Sequence, residues 1–526
     1  MPYPQKILTS AQMNEIDRRT IENGIPGIIL MENAAQRVVE LLVDKFSPLA
    51  TRRIVIVCGR GNNGGDGLAI ARQLWYRFRP KSIHVLLTGP SGDLNRDAVA
   101  NFKMLQASEC PNVIQGPIHE VTPEARCADL VVDAVLGTGV NGSATGLPLE
   151  AIRLINSQFP FAKVVSVDVP SGLSSDNPDV LGEFVRADYT VTFTAYKLGQ
   201  MLSPACDLMG ELHLVSIGTP AEMIDGDASI NLRLITPESL LPLFAPRQKD
   251  ANKGRFGHVL IVGGSRGKSG AAAMAGMAAL RAGAGLVTVA SVKSAITAIA
   301  SHAPELMTEP LPETESGAMA QHCSEIILEI AKKPDLVAIG PGLGTHPETV
   351  EAVRQLYRKI PKLMIVDADG LNALAGTDWR GSAEPRYVTP HPGEMARMTG
   401  KEIKEIQADR VTAAREFATS TGVNLILKGQ RTLVAPPKGD VLVNPTGSPS
   451  MAKGGTGDIL TGLIAGMIAQ FQDEAHAITA TAAAVYLHGL AGEIGAREVG
   501  DKYVNATDLL RYLPQAIQEM KDRAGE

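Results

Sequence analysis

The chain has little of what marks several protein classes. Aromatic residues make up only 4% of its 526 residues. Its five cysteines, Cys58, Cys110, Cys127, Cys206 and Cys323, are scattered, odd in number and free of any CxxC pair. That argues against a disulfide framework or a cysteine zinc site and for a reducing compartment. No long basic run is present and the formal net charge is −6, so a nucleic-acid surface is not expected. Apolar stretches are short or broken by charge, as Arg281 breaks the Ala/Gly-rich segment after Gly270. A membrane-spanning helix needs about 20 apolar residues, so none is expected. The opening MPYPQKILTSAQMNE lacks the apolar core of a secretory signal. A cytoplasmic protein is therefore the expectation. What is abundant is glycine, at 52 residues, which suits α/β folds whose tight turns surround phosphates.

At roughly 150 residues per domain, the length allows two to four domains. The chain opens with a helical segment, where Thr9-x-x-Gln12 fits a capping box. A second amphipathic helix is expected from about Met31 to Phe46. Apolar, β-branched runs then alternate with helical segments: 54–57, 83–87, 130–132, 164–167, 189–193 and 212–215. Near-continuous apolar strands of this kind predict a parallel, doubly wound sheet. The rhythm is lost between Ile217 and Pro246, a stretch rich in Pro, Asp and Leu. The expected division is a domain over 1–222, a linker over 223–245 and a second domain over 246–526. Further strands follow at 258–262, 286–289, 336–339, 363–366 and 425–427. The halves share strand style but no register, so no internal repeat is assigned.

Three strand ends in the first half carry polar groups among glycines. Gly59, Gly61 and Gly64 form a GxGxxG turn within Gly59-Arg60-Gly61-Asn62-Asn63-Gly64-Gly65-Asp66-Gly67. Such a strand-to-helix turn presents backbone N–H groups to an anion. A dinucleotide fold also wants an acid closing the next strand. That strand instead ends Leu86-Leu87-Thr88-Gly89, which argues against an NAD-dependent dehydrogenase. Asp133 precedes Gly137-Thr138-Gly139-Val140-Asn141-Gly142, and Asp168 precedes Val169-Pro170-Ser171-Gly172. Ligands of a doubly wound sheet sit beyond the carboxyl ends of the strands, so these three loops are expected to converge. A lone aspartate there usually caps a loop; three with glycines favour a site.

NNGGDG, DAVLGTG and DVPSG in this order resemble the NAD(P)H-hydrate epimerase domain, over roughly residues 5 to 220. The resemblance implies a Rossmann-like three-layer α/β fold. It implies that Asn62, Asn63, Gly64, Gly65, Asp66, Gly137, Thr138, Gly139, Val140, Asn141, Gly142, Ser143 and Asp168 hold the hydrate. It further implies that Asn63, Asp133 and Ser171 bind K+ and that Asp168 is the main acid/base. The chemistry is consistent with one such carboxylate. The hydrated carbon adjoins the ring nitrogen, whose lone pair expels the hydroxyl, and water re-adds on the other face. A second catalytic group, with lysine among the options, is not placed by the sequence.

The second half holds Lys453-Gly454-Gly455-Thr456-Gly457-Asp458 before a helical repeat of Ile459, Leu460, Leu463, Ile464, Met467, Ile468 and Phe471, which predicts one apolar face. The glycine loop points N–H groups at an anion. Asp458 either complements the helix dipole or acts as a base beside an anion hole; the glycines and Thr456 favour the base. GGTGD before an apolar helix is similar to ribokinase-like kinases, in which the aspartate takes a hydroxyl proton during phosphoryl transfer. Several segments narrow the likeness: Gly263-Gly264-Ser265, Gly267-Lys268-Ser269-Gly270-Ala271, Gly340-Pro341-Gly342-Leu343-Gly344, Asp367-Ala368-Asp369-Gly370, Thr389-Pro390-His391-Pro392-Gly393-Glu394 and Lys428-Gly429-Gln430-Arg431-Thr432. Together they resemble the ADP/ATP-dependent NAD(P)H-hydrate dehydratase domain over about 240–520.

That resemblance implies a ribokinase-like three-layer fold. Ala271, Gly342, His391 and Asp458 would contact the hydrate. Lys428, Gly429, Gln430, Arg431, Thr432, Gly455, Thr456 and Gly457 would contact the nucleotide. Asp458 would be the base, ADP or ATP the co-substrate with ADP first, and Mg2+ a cofactor. Asp367 and Asp369 are either loop caps or Mg2+ partners. A P-loop ending at Gly267-Lys268-Ser269 is rejected, because its first glycine would fall at Val262. The implied function is repair of hydrated NADH and NADPH: epimerisation of the R and S hydrates, then dehydration of the S hydrate by phosphorylation and elimination. The expected partners are small molecules, with no membrane and a homo-oligomer. The alternatives are a ribokinase-like small-metabolite kinase with a ligand-binding N-terminal domain, and a nucleotide-sensing module without turnover.

Overall fold

The computed structural model describes residues 6–116, 121–139, 142–380, 384–471 and 473–525. It divides into two compact units, Met1–Leu232 and Arg233–Glu526.

The first unit opens with helix Ser10–Glu22, capped as the sequence suggests. The Thr9 hydroxyl accepts from the Gln12 backbone N–H at 3.2 Å, and the Gln12 side chain accepts from the Thr9 N–H at 3.0 Å. The next helix runs Gly27–Phe46, starting before Met31 because the extended backbone of Pro26 sets its N-cap. A parallel seven-stranded sheet follows, in the order Val113–Gln115, Ser82–Leu87, Arg53–Cys58, Leu130–Ala134, Lys163–Val167, Tyr189–Phe193, Glu211–Val215. Successive side chains of a strand point to opposite faces. Accordingly Ile54, Ile56 and Cys58 pack into one core with Leu68 and Leu74, and Val55 and Val57 into another with Ile152 and Ile155. Covering both faces explains the continuous apolar runs. The chain proceeds outward from Arg53–Cys58 in one direction, then restarts beside it at Leu130–Ala134 in the other. The crevice at that reversal is where a ligand belongs.

The second unit is built on a ten-stranded sheet with the order Leu232–Leu234, Val441–Val443, Leu433–Ala435, Asn424–Leu427, Arg386–Val388, Leu363–Val366, Leu336–Ile339, His258–Val262, Leu286–Val292, Met307–Leu311. The strands from Asn424–Leu427 to Met307–Leu311 are parallel, and Leu433–Ala435 and Val441–Val443 turn antiparallel. Its reversal lies between His258–Val262 and Leu336–Ile339. The stretch 223–245 holds short elements: helix Glu222–Asp225, strand Leu232–Leu234 and helix Pro237–Leu240.

The helix after GGTGD spans Thr456–Gln470 and differs from expectation. It is buried from Ile459 to Ala469, not along one face. Glycines allow this: a Cβ on Gly462 would lie 2.0 Å from the Ala275 carbonyl oxygen, and one on Gly466 2.3 Å from that of Ala279. Both carbonyls belong to helix Ser269–Arg281, so the two backbones meet closely. The Ala480–Leu487 segment lies inside helix Glu474–Val499, with Ala480, Ala482, Ala483 and Ala484 buried in this unit. No helix among the described residues is long and apolar enough to cross a membrane.

Overpacking a close contact costs about 1–3 kcal/mol or more. Gly466→Val is expected to destabilise the second unit by at least about 2 kcal/mol, read as an earlier denaturant transition.

Candidate active sites

In the first unit a cavity of about 530 Å3 opens at the reversal point. Its floor is the set of strand-end loops: Gly59–Asn63, Val135–Gly139, Asp168 and Phe193–Thr194 with Lys197. Residues of the two N-terminal helices, including Met13, Asn14, Asp17, Leu30 and Met31, complete its lining. The glycine turn is close-packed where it must be. A Cβ on Gly59 would lie 1.9 Å from the Val135 carbonyl oxygen, and one on Gly64 1.9 Å from that of Gly59. Gly61 is the N-cap of helix Asn62–Phe78 and meets nothing within 4 Å. No side chain caps that helix, leaving its first N–H groups to an anion.

Asp168 sits just past strand Lys163–Val167 with a left-handed φ of 65°. Its backbone is held on both sides: its N–H donates to the Val191 carbonyl at 2.8 Å, and its carbonyl accepts from Gln200 Nε2 at 2.7 Å. The turn that follows needs Gly172, whose Cβ at φ 100° would lie 2.4 Å from the Glu183 carbonyl oxygen. The Asp168 carboxylate forms an ion pair with Lys197, Nζ to Oδ1 at 2.5 Å. Lys197 is fully buried and also donates to Thr192 Oγ1 at 2.8 Å and the Phe193 carbonyl at 2.9 Å. Three donors to acceptors fix the ammonium, and Oδ1 further accepts from Thr192 and the Phe193 N–H. Oδ2 accepts nothing from the described residues and is the oxygen left for a ligand.

Asn63, Asp133 and Ser171 are brought together by Leu136. Asn63 Nδ2 donates to its carbonyl at 2.9 Å, and Ser171 Oγ accepts from its N–H at 2.8 Å. Asp133 is fully buried and accepts from Ser166 Oγ, Ser171 Oγ, Ser171 N–H and Val135 N–H. Burial pushes its carboxyl up against those four hydrogen bonds, and no cationic side chain offsets the charge. An all-oxygen set around one buried carboxylate is chemistry that suits a hard cation. Among the described residues no group of three or more His, Cys, Asp or Glu is arranged for a metal.

Of the residues expected to hold the hydrate, Asn62, Asn63, Asp66, Gly137, Thr138, Gly139 and Asp168 line the cavity. Gly64 and Gly65 lie behind it, against Gly59 and Met31. Gly142 and Ser143 are not in its lining, and Ser143 Oγ donates instead to the Leu181 carbonyl at 2.6 Å. Val140 and Asn141 lie outside the described residues. Lys197 and Asp17 were not picked out by the motifs. The readable signal for Asp17 is a carboxylate on the buried stripe of Met13, Ile16 and Thr20.

The second unit repeats the device of a lysine holding a strand-end carboxylate. Asp367 is fully buried and accepts from Lys428 Nζ at 2.8 Å, Thr389 Oγ1 at 2.7 Å and Thr461 Oγ1 at 2.7 Å. Burial raises its carboxyl, but Lys428 and the hydroxyls outweigh that and leave it lowered. Burial likewise opposes the Lys428 charge, and Asp367 and Glu394 overcome it and raise the ammonium. A Cβ on Gly457 would lie 3.5 Å from Lys428 Nζ, so the lysine faces the glycine loop. Gly455, with φ 97°, caps helix Thr456–Gln470, and Asp458 stands in its first turn. Burial and then Asp367 push the Asp458 carboxyl up to about 6, against the pull of Lys428.

Gly340 permits this packing, since a Cβ at its φ of 132° would lie 1.8 Å from the Asp367 carbonyl oxygen. Asp369 accepts from the Gly344 N–H at 2.8 Å and lies 3.6 Å from Lys268 Nζ. It therefore caps the loop around Gly342, whose Cβ would meet that of Ala271 at 3.0 Å. His391 caps helix Pro392–Thr399: Nδ1 accepts from the Gly393 N–H at 3.0 Å. Its Nε2 lies 3.5 Å from Glu394, which also approaches Lys428 at 3.8 Å. The Lys428–Thr432 turn joins two antiparallel strands, and Arg410 braces it through the Leu427 and Lys428 carbonyls at 3.2 Å. Arg431 turns to the Pro445 carbonyl at 2.7 Å, and Thr432 to that of Gly429 at 2.9 Å.

Breaking a buried ion pair from one side costs about 3–5 kcal/mol. Lys197→Met is expected to lose that much stability in the first unit, and adding Asp168→Asn to restore part of it. Denaturant unfolding checks both; a neutral single variant would contradict the pairing.

The chain matches two family models. Residues 259–515 match the NAD(P)H-hydrate dehydratase family, and residues 27–199 match the YjeF-related protein N-terminus. It is 41% identical over 524 residues to the bifunctional NAD(P)H-hydrate repair enzyme of Moorella thermoacetica, covering 98% of this chain and 97% of that one. With the enzyme of the same name from Thermofilum pendens it shares 37% identity, over 98% and 97% of the two chains. A solved ADP/ATP-dependent NAD(P)H-hydrate dehydratase from Bacillus subtilis, crystallised with ATP and Mg2+, aligns at 33% identity and a TM-score of 0.48, covering 55% of this chain and 99% of that one. With relatives this similar along nearly its whole length, the chain belongs to the bifunctional NAD(P)H-hydrate repair enzymes.

Proposed function

We propose that the two crevices divide the repair of hydrated NADH and NADPH between them. Residues 1–222 carry the epimerase and 246–526 the dehydratase, with 223–245 connecting them. In the first, the hydrate lies over Asn62, Asn63, Asp66 and Gly137–Gly139, its phosphates toward the open start of helix Asn62–Phe78. Asp168 exchanges a proton with the hydroxyl or incoming water through Oδ2, while Lys197 fixes the carboxylate. Asn63, Asp133 and Ser171 would hold K+, which would order these loops and supply positive charge near the ligand.

In the second crevice Asp458 takes the proton of the S-hydrate hydroxyl. That oxygen attacks the terminal phosphoryl group of ADP or ATP, cradled by Gly455-Thr456-Gly457 and approached by Lys428. The phosphate ester then leaves and the ring double bond returns. Hydroxide is a poor leaving group and phosphate a good one, which accounts for consuming a nucleotide. Asp369, the less engaged of the two strand-end aspartates, is the residue that would help place Mg2+ beside those phosphates. Ala271, Gly342 and His391 frame the hydrate side. The protein is proposed to act in the cytoplasm, as a homo-oligomer.

The observation that carries this reading is Asp458, half-buried with its carboxyl pushed up, in the first turn of a glycine-capped helix with Lys428 beside Gly457. The test supplies mixed NADPH hydrate epimers, K+, Mg2+ and either ADP or ATP, and follows absorbance at the reduced-nicotinamide band. Asp458→Asn is expected to lose dehydration at least about 100-fold while still binding nucleotide; unchanged turnover removes it as base. Asp168→Asn is expected to abolish epimerisation alone. Because the Asp458 carboxyl sits near 6 and must be ionised to accept a proton, dehydration kcat/KM should fall as pH drops through about 6. A rate flat to pH 4.5 would contradict the assignment.

A further inference from the structure

The epimerase cavity contains a carboxylate that the assigned chemistry leaves unused. Asp17 lies on helix Ser10–Glu22 and lines the same cavity as Asp168. Its Oδ1 is sealed from solvent and has no hydrogen-bond partner, although the residue lines the cavity. Asp17 makes no ion pair with any described residue either. A buried carboxylate oxygen without a partner is costly, while the rest of the half-buried side chain is open to the cavity that Asp17 lines. The charged groups around it are Lys197, Asp168 and the buried Asp66.

Inversion at the hydrated carbon poses a geometric problem. The hydroxyl leaves from one face of the ring and water returns to the other. A single carboxylate on one wall serves only one face of a ring held between two walls. We propose that Asp17 is the second proton-transfer group of the epimerase, working from the helical wall while Asp168 works from the strand-end side. This rests on the assignment of Asp168 above. In one direction protonated Asp17 gives its proton to the hydroxyl oxygen. The C–O bond breaks, water departs, and the ring-nitrogen lone pair forms the C=N bond. A water on the Asp168 side then attacks that carbon, the C=N pair returns to nitrogen, and Asp168 takes the proton released by the attacking water. One water leaves and one enters, and one proton has moved from Asp17 to Asp168. The opposite epimer runs the same steps with the roles exchanged, and solvent re-equilibrates the protons between turnovers.

The environment suits such a role. Burial pushes the Asp17 carboxyl up to about 6, with Lys197 pulling down and Asp168 pushing up. Near neutral pH it can therefore both give and take a proton. Asp168 is positioned by its ion pair with the buried Lys197, which leaves Oδ2 toward the same cavity.

The test follows one purified NADPH hydrate epimer at a time in H2(18)O with K+ and no nucleotide, so that dehydration is silent. Chiral chromatography reads inversion and mass spectrometry reads oxygen exchange. The wild-type chain should show both. Asp17→Asn should lose inversion at least about 100-fold while the epimer whose hydroxyl faces Asp168 still takes up 18O with retention, because Asp168 can expel and re-add water on its own side. Inversion at the wild-type rate in Asp17→Asn overturns the proposal. So does equal loss of inversion and exchange in a variant with unchanged thermal unfolding, which would make Asp17 a binding residue. Absence of inversion in the wild-type chain would instead sink the epimerase reading on which the proposal stands.

Discussion

A buried lysine holding a carboxylate at the end of a parallel strand sets both sites. Lys197 does this for Asp168 and Lys428 for Asp367. Two opposite charges removed from water are tolerated only with close geometry and further hydrogen bonds. Each pair has them: Thr192 and Phe193 around the first, Thr389 and Thr461 around the second. The pairs fix loop positions that sequence-local turns alone would leave loose. They also create the field in which neighbouring carboxylates are tuned.

That field separates the carboxylates into two kinds. Asp367 is kept charged by its lysine, and its charge helps lift Asp458. In the first unit, Asp168 adds to the burial that lifts Asp17 and Asp66. Groups pushed apart in proton affinity by their surroundings are how one fold supplies both an anchored charge and a mobile proton. The first set lies beside the uncapped start of helix Asn62–Phe78 and the second beside the glycine loop that opens helix Thr456–Gln470, both of them backbone arrangements suited to an anion.

Much of this was legible in the sequence because its elements are local. The apolar runs mark the central strands, and the glycine motifs mark turns that packing then requires, as at Gly59, Gly64 and Gly340. Strands that escaped are short or atypical: Val113–Gln115 is an edge, Met307–Leu311 contains Pro310 and Glu309, and Arg386–Val388 begins with a buried arginine. The helix after GGTGD looked one-sided because its small residues, Gly462 and Gly466, carry no apolar signal even though they mark the closest packing. Lys197 and Asp17 stand outside every motif. They come near each other only when helix Ser10–Glu22 packs against Ala195, beside the Lys197 turn, a contact that sequence periodicity does not encode.

The central claim is that two sites on one chain act in turn on one metabolite, and a single-epimer experiment tests it most directly. Pure R hydrate of NADPH is given to the intact chain with K+, Mg2+ and ADP, and reduced nicotinamide is followed by absorbance to completion. The account predicts stoichiometric recovery, with one nucleotide consumed per NADPH restored. Recovery limited to the spontaneous epimerisation rate, measured without protein, would contradict it.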